Sequence, residues 1–201
     1  MLGILKRFGA VLALAWAASG AVQAQGKAPD EIVREGVTEV LSEIKKDPDP
    51  RALQEFAERK LLSQFDFTAM TRLATGRAWR QATDAQKKAL ENAFRTLLVR
   101  TYTTALSQVT GNFSVDVKPV AVQPEDADTV VKTLVKGSDR PPVPIDFRMA
   151  RTPNSWKVYD VVVENLSLVT NYRSSFQSEI SRTGIDGLIK VIEDKNAKAA
   201  G

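Results

Sequence analysis

The chain has 201 residues, enough for one domain with a substantial core; 43% are hydrophobic, the formal net charge is +4, and there is neither cysteine nor histidine. Those two absences exclude disulfide staples, thiol nucleophiles, the usual zinc and haem ligands, and the side chain that most often does acid–base work near neutral pH. The charge is too small for a nucleic-acid protein, and basic residues alternate with acidic ones (Glu31, Arg34, Glu35; Asp84, Lys87, Lys88, Glu91), which describes a solvated surface.

Lys6 and Arg7 precede an apolar run from Phe8 to about Ala18, and Val22-Gln23-Ala24 offers the small residues that a signal peptidase reads. Residues 1–24 are therefore expected to be a signal peptide removed on export, since the run is shorter than the roughly 20 apolar residues a membrane span needs. Losing Lys6 and Arg7 lowers the charge from +4 to +2 and leaves residues 25–201 as a single domain. After a short tether, Val33, Val37, Val40, Leu41 and Ile44 form a helical stripe that Pro48 and Pro50 end. A second helical segment carries Leu53, Phe56, Leu61 and Leu62. Asp66 is placed as the N-cap of a third, which carries Met70 and Leu73 towards Gly76.

The stretch from Trp79 to Val109 holds the longest element. Thr83 and Gln86 have capping-box spacing, and Leu90, Phe94, Leu97, Leu98, Tyr102, Ala105, Leu106 and Val109 follow on one helical face. Gly111 is expected to end that helix. Then the period changes. Phe113, Val115 and Val117 alternate with polar residues; Thr129 to Lys136 is rich in Val and Thr; Val143, Ile145, Phe147 and Met149 alternate with Pro144, Asp146 and Arg148; Trp156 to Val163 follows a turn. Four strands joined by short polar turns predict an antiparallel meander. From Leu166 the helical period returns, breaks at Gly184, and resumes with Leu188, Ile189 and Ile192; Lys195 to Gly201 is expected to fray. The predicted fold is α+β: a helical N-terminal half whose long helix packs against a curved four-stranded antiparallel sheet, followed by C-terminal helices.

Two separated groups of residues carry a resemblance. The first is Phe65-Asp66-Phe67, Met70-Thr71, Gly76, Trp79-Arg80-Gln81-Ala82-Thr83, Gln86, Phe94, Leu97-Leu98 and Tyr102. The second is Trp156-Lys157-Val158-Tyr159-Asp160-Val161, Leu166-Ser167-Leu168, Asn171-Tyr172-Arg173, Phe176 and Gly184 through Ile189. In this order, over nearly all of residues 25–201, they resemble the MlaC or toluene-tolerance family of periplasmic phospholipid carriers in the Mla lipid-asymmetry pathway. Asn165 departs from the pattern, standing where the family favours glycine. The resemblance implies a monomeric periplasmic carrier with a deep apolar cavity between sheet and helices, which holds the acyl chains of a glycerophospholipid as cargo. It implies exchange with an inner-membrane ABC transporter bearing a lipid-binding ring and with an outer-membrane lipoprotein–porin complex, and it implies no catalytic residue, metal or other cofactor.

Burying each CH₂ is worth about 0.8 kcal/mol, so a carrier competing with a bilayer must offer an almost equally complete apolar lining. The candidates are Met70, Leu73, Leu98, Tyr102, Leu106, Val131, Phe147, Met149, Trp156, Val158, Tyr172, Phe176 and Leu188, each of which also suits ordinary core. Arg173 is the candidate contact for a phosphate headgroup or a partner. Along the third strand, Ile145, Phe147 and Met149 are expected to face the cavity and Asp146 and Arg148 to face outward. Two other functions fit the same scaffold: a small-molecule enzyme using Tyr102 or Tyr172 with Asp146 or Asp160, and an envelope chaperone with a shallow apolar face.

Overall fold

A computed structural model describes residues 26–109, 111–137 and 141–198; the expected signal peptide lies outside them. Helix α1 runs Pro29–Lys46, with Pro29 at its first position and the Glu31 carboxylate accepting from the Ala28 N–H at 3.3 Å. Helix α2, Pro50–Phe56, is capped by Asp49, whose side chain accepts from the backbone N–H groups of Arg51 and Ala52. It loosens into a π-helical turn, Ala57–Leu61, and a 3₁₀ turn, Leu62–Gln64. In α3, Phe67–Thr75, Asp66 is the N-cap, accepting from Ala69 N at 2.8 Å, and Gly76 ends the helix at φ 59°. The turn Gly76–Arg80 then leads to the long helix α4, Asp84–Ser107. Its capping box is formed as expected: Thr83 Oγ1 accepts from Gln86 N at 3.2 Å, and Gln86 Oε1 accepts from Thr83 N at 3.0 Å. The helix closes at Gln108, before the Gly111 stop that the residues suggest, and Gly111 takes φ 108° in the turn that follows.

The sheet is an antiparallel meander in the order β1 (Phe113–Val117), β2 (Asp128–Gly137), β3 (Val143–Arg151), β4 (Trp156–Val163) and β5 (Leu166–Ser167). The fifth strand corrects the expectation of helix from Leu166. Glu164 and Asn165 take φ values of 48° and 69°, which makes the β4–β5 connection a two-residue hairpin of the I′ kind, and asparagine tolerates the left-handed conformation better than most residues. Helix α5, Arg173–Lys198, is interrupted by Gly184 at φ 77°, where the sequence breaks. Its last turns do not fray from Lys195: the helix reaches Lys198, and the buried Asn196 donates from Nδ2 to the Ala93 carbonyl at 2.9 Å, tying it to α4.

Two cores hold these layers together. Met70, Leu90, Phe94, Leu98, Val169, Phe176, Leu188 and Ile192 fill the space between α3, α4 and α5, with Phe94 edge-on to Tyr172 and Phe176 at 5.3 and 5.2 Å between ring centroids. Ile32 and Val33 of α1 pack with Val117, Val131, Met149, Trp156 and Val158 on the inner sheet face. Phe65 packs against both clusters.

Asp160, a candidate base in the enzyme reading, is fully buried on the other face of β4. Its carboxylate accepts from Ser167 Oγ at 2.9 Å, from Val169 N at 3.3 Å and from Arg148 Nη1 at 3.3 Å. Arg148 stands on the outer face as expected, 45% exposed, but it is the ion-pair partner of that carboxylate. Asp160 thus pins the β5 turn to the sheet. Asp160→Ala is expected to lower unfolding free energy by about 3 kcal/mol, three hydrogen bonds at about 1 kcal/mol each, as read by urea denaturation.

Candidate functional site

A cavity of about 480 Å³ lies between one face of α1, from Ile32 to Ile44, the C-terminal half of α4 and the inner face of the sheet. The inner face follows from register. Val115 pairs with Val135, Thr133 with Ile145, Val135 with Val143, Ile145 with Val163 and Phe147 with Val161, so each pair puts two side chains on one side of the sheet. Opposite them stand Val37, Val40, Leu41 and Ile44 of α1 and Tyr102, Ala105, Leu106 and Val109 at the end of α4. Leu61 and Gln64 close one side, and Gly36 allows this approach, because a methyl group there would come within 3.1 Å of Gln64 Oε1.

A β-bulge shapes the wall. Arg148 pairs with Asp160 but Met149 pairs with Val158, so Tyr159 is the extra residue on β4. The bulge resets the alternation, and Val158, Val161 and Val163 all reach the cavity although 158 and 161 differ by an odd number. A strict period of two carried on from Trp156 and Val158 would put Val161 and Val163 outside.

The lining is almost wholly hydrocarbon. Its polar side chains are Gln64, Tyr102 and Thr133, and among the described residues no charged side chain lines it. The Thr133 hydroxyl is occupied, donating to the Ile145 carbonyl at 2.7 Å. Burial holds the Tyr102 phenol up to about 12, with Tyr172 and the Asp160 carboxylate acting in the same direction. At neutral pH that hydroxyl is a hydrogen-bond donor and not a base. Among the described residues no group of three or more acidic side chains could hold a metal ion, and no helix is long and apolar enough to cross a membrane.

Of the candidate lining residues, Tyr102, Leu106, Phe147 and Val158 stand in the cavity wall. Met70, Leu98, Phe176 and Leu188 are instead buried in the helical core, with Leu73 and Tyr172 packed against it. Val131, Met149 and Trp156 are buried in the sheet core, so β3 turns Ile145 and Phe147 to the cavity while Met149 meets solid packing one step on. The reason is depth along the layers: the same apolar stripe is core where facing elements touch and wall where they separate. Arg173 stands in a different concavity altogether. The α1 stripe was visible in the sequence as a helix face; its place in the wall needed the distance between α1 and the sheet. Thr133 and Val135 stand out in the sequence only as part of a run rich in Val and Thr.

Tyr102 generates a pH prediction. A phenol whose folded pKa exceeds its unfolded value of about 10 contributes stability that is present below that value and lost as pH rises through about 12. Thermal melting between pH 9 and 12 should therefore show a base-induced loss that is smaller in Tyr102→Phe; an identical profile in both proteins would contradict the assignment.

The fold and the cavity have counterparts among known proteins. A solved phospholipid-binding protein from Ralstonia solanacearum, in complex with a phospholipid, superposes with a TM-score of 0.78 at 34% identity, covering 87% of this chain and 100% of that one. A toluene tolerance protein of Pseudomonas putida is 25% identical over 196 residues, 92% of this chain and 87% of the relative. The model of the MlaC protein family matches residues 33–194, from the cavity face of α1 to the last turns of α5, and the chain belongs to that family.

Proposed function

We propose that this chain carries a glycerophospholipid, holding its acyl chains in the cavity and leaving the headgroup near solvent. The observation that carries the reading is a cavity of about 480 Å³ lined almost wholly by hydrocarbon, in a fold shared with a protein solved in complex with a phospholipid. The volume lies in the range of small-molecule sites, whereas the lining lacks the several convergent polar groups that such sites use to orient a polar ligand. Hydrocarbon in such a wall is recognised by its area, at about 25 cal/mol per Å² removed from water. An acyl chain of about 16 carbons then gains about 12 kcal/mol, comparable to what it gains in a bilayer, and loading and unloading stay near balance.

We further propose that residues 1–24 direct export, that the chain works in the periplasm as a monomer, and that it passes lipid between an inner-membrane ABC transporter with a lipid-binding ring and an outer-membrane lipoprotein–porin complex. Family membership supports this part. The enzyme reading has less support. Asp160 is engaged by three donors, and Tyr102 is held protonated. A chaperone reading would call for a shallow apolar face, and the apolar surface here is turned inward.

Protein purified without detergent is expected to yield phospholipid in stoichiometric amount by organic extraction and mass spectrometry. Phe147→Asp should lose it, because an unpaired carboxylate in the wall must be desolvated or draw in water where acyl carbon lies. Val130→Asp, on the outer face of β2 and 40% exposed, should keep it. Lipid-free but folded native protein, or equal loss from both variants, would sink the reading.

A further inference from the structure

The helical side of the molecule has a second concavity, of about 490 Å³, between the end of α3, the turn Gly76–Arg80 and the first half of α5. Arg77, Arg173, Gln177 and Ser181 stand on its walls, and no residue is shared with the lipid cavity. Gly76 shapes it. A methyl group on that residue would come within 3.2 Å of Gln177 Nε2 and 3.4 Å of Arg173 Nη2, so the bare backbone lets both side chains lie close across it.

The charge around this cleft is one-sided. Arg72, three residues before Thr75 on α3, and Arg80, three residues after Arg77, are its neighbours in the chain, and with Arg77 and Arg173 they make four exposed arginines. None of the four joins an ion pair among the described residues. The segment 67–80 holds no carboxylate. Glu179, the one carboxylate of residues 170–184, is taken by Arg182 at 2.6 Å and Thr183 at 2.6 Å. Elsewhere arginines are spent on the fold: Arg34 on the Val117 carbonyl, Arg148 on Asp160, Arg151 on the carbonyls of Gln123 and Asp126.

We propose that this cleft is a docking site for an acidic segment of a protein partner, whose carboxylates are received between Arg77 and Arg173. The guanidinium fork matches a carboxylate in two parallel hydrogen bonds, which lysine cannot offer. The surface is concave and carries no large exposed apolar side chain; those, Val130 and Leu166, lie on the sheet. That suits a protruding protein segment and not the plane of a bilayer. The use of the site rests on the carrier reading, since a carrier must dock to load and unload. Its position leaves the lipid cavity uncovered while the partner is held, and charge on both sides would speed encounter.

The test uses the full chain and a fluorescein-labelled octaglutamate peptide, followed by fluorescence anisotropy at low and physiological salt. The native protein should bind the peptide, more weakly as salt rises, and Arg77→Glu/Arg173→Glu should weaken binding about tenfold or more. Arg77→Lys/Arg173→Lys, which keeps the charge and loses the fork, should fall between. Lys45→Glu/Lys132→Glu, the same change of charge on α1 and β2, should bind like the native protein. No binding by the native protein, equal loss in the two glutamate variants, or loss of binding to phosphatidylglycerol vesicles with peptide binding intact would each overturn the proposal. Lipid extracted from every variant keeps the two readings apart: the arginine variants should retain it, and lipid-free native protein that still binds the peptide would sink the carrier and leave the cleft.

Discussion

An apolar space held open between packed layers is expensive, and the structure is built around one. At about 24 cal/mol per Å³, a dry cavity of about 480 Å³ corresponds to roughly 10 kcal/mol, as large as the whole net stability of an ordinary domain. Such a space persists only if the surrounding layers cannot close on it, or if hydrocarbon fills it. The first condition is visible in this chain. Ile32 and Val33 seat one end of α1 on the sheet, while α4 is seated by its own core with α3 and α5, so neither helix is free to drop onto Ile145 and Val161.

The devices that keep the layers apart are local and polar. Asp49, Asp66 and Thr83 cap successive helices and set where each begins. Asp160 holds the turn after β5 against β4 from the outer side, and the bulge at Tyr159 bends the strand so that valines on either side of it share one face. Polar groups of this kind stabilise without filling the interior. They leave the inner face of the sheet as hydrocarbon, the solvent an acyl chain requires.

The molecule separates its two kinds of surface. Hydrocarbon is gathered between α1, α4 and the sheet, and uncommitted arginine is gathered on the far side of the helical core, around Gly76. Strong charge beside an apolar cavity would draw water to its rim, and here the two lie on different elements.

Much of this was legible in the residues. Thr83 with Gln86, Asp66 before α3, the breaks at Gly76 and Gly184, and the alternation of β1 and β3 are short-range signals whose chemistry acts within a few residues, and each appears where the sequence places it. What failed locally failed for tertiary reasons: Leu166 and Ser167 read as helix but pair as a strand because Asn165 accepts a positive φ, and the end of α5 holds because Asn196 reaches Ala93, 103 residues earlier. The site was the least legible part. Tyr102, Leu106, Phe147 and Val158 line the cavity while Met70, Met149 and Phe176 pack in the cores, yet all are apolar residues on periodic faces. Periodicity reports which face of an element is turned inward. Whether that face meets another side chain or a void depends on the distance between elements far apart in the chain, which only the assembled layers decide.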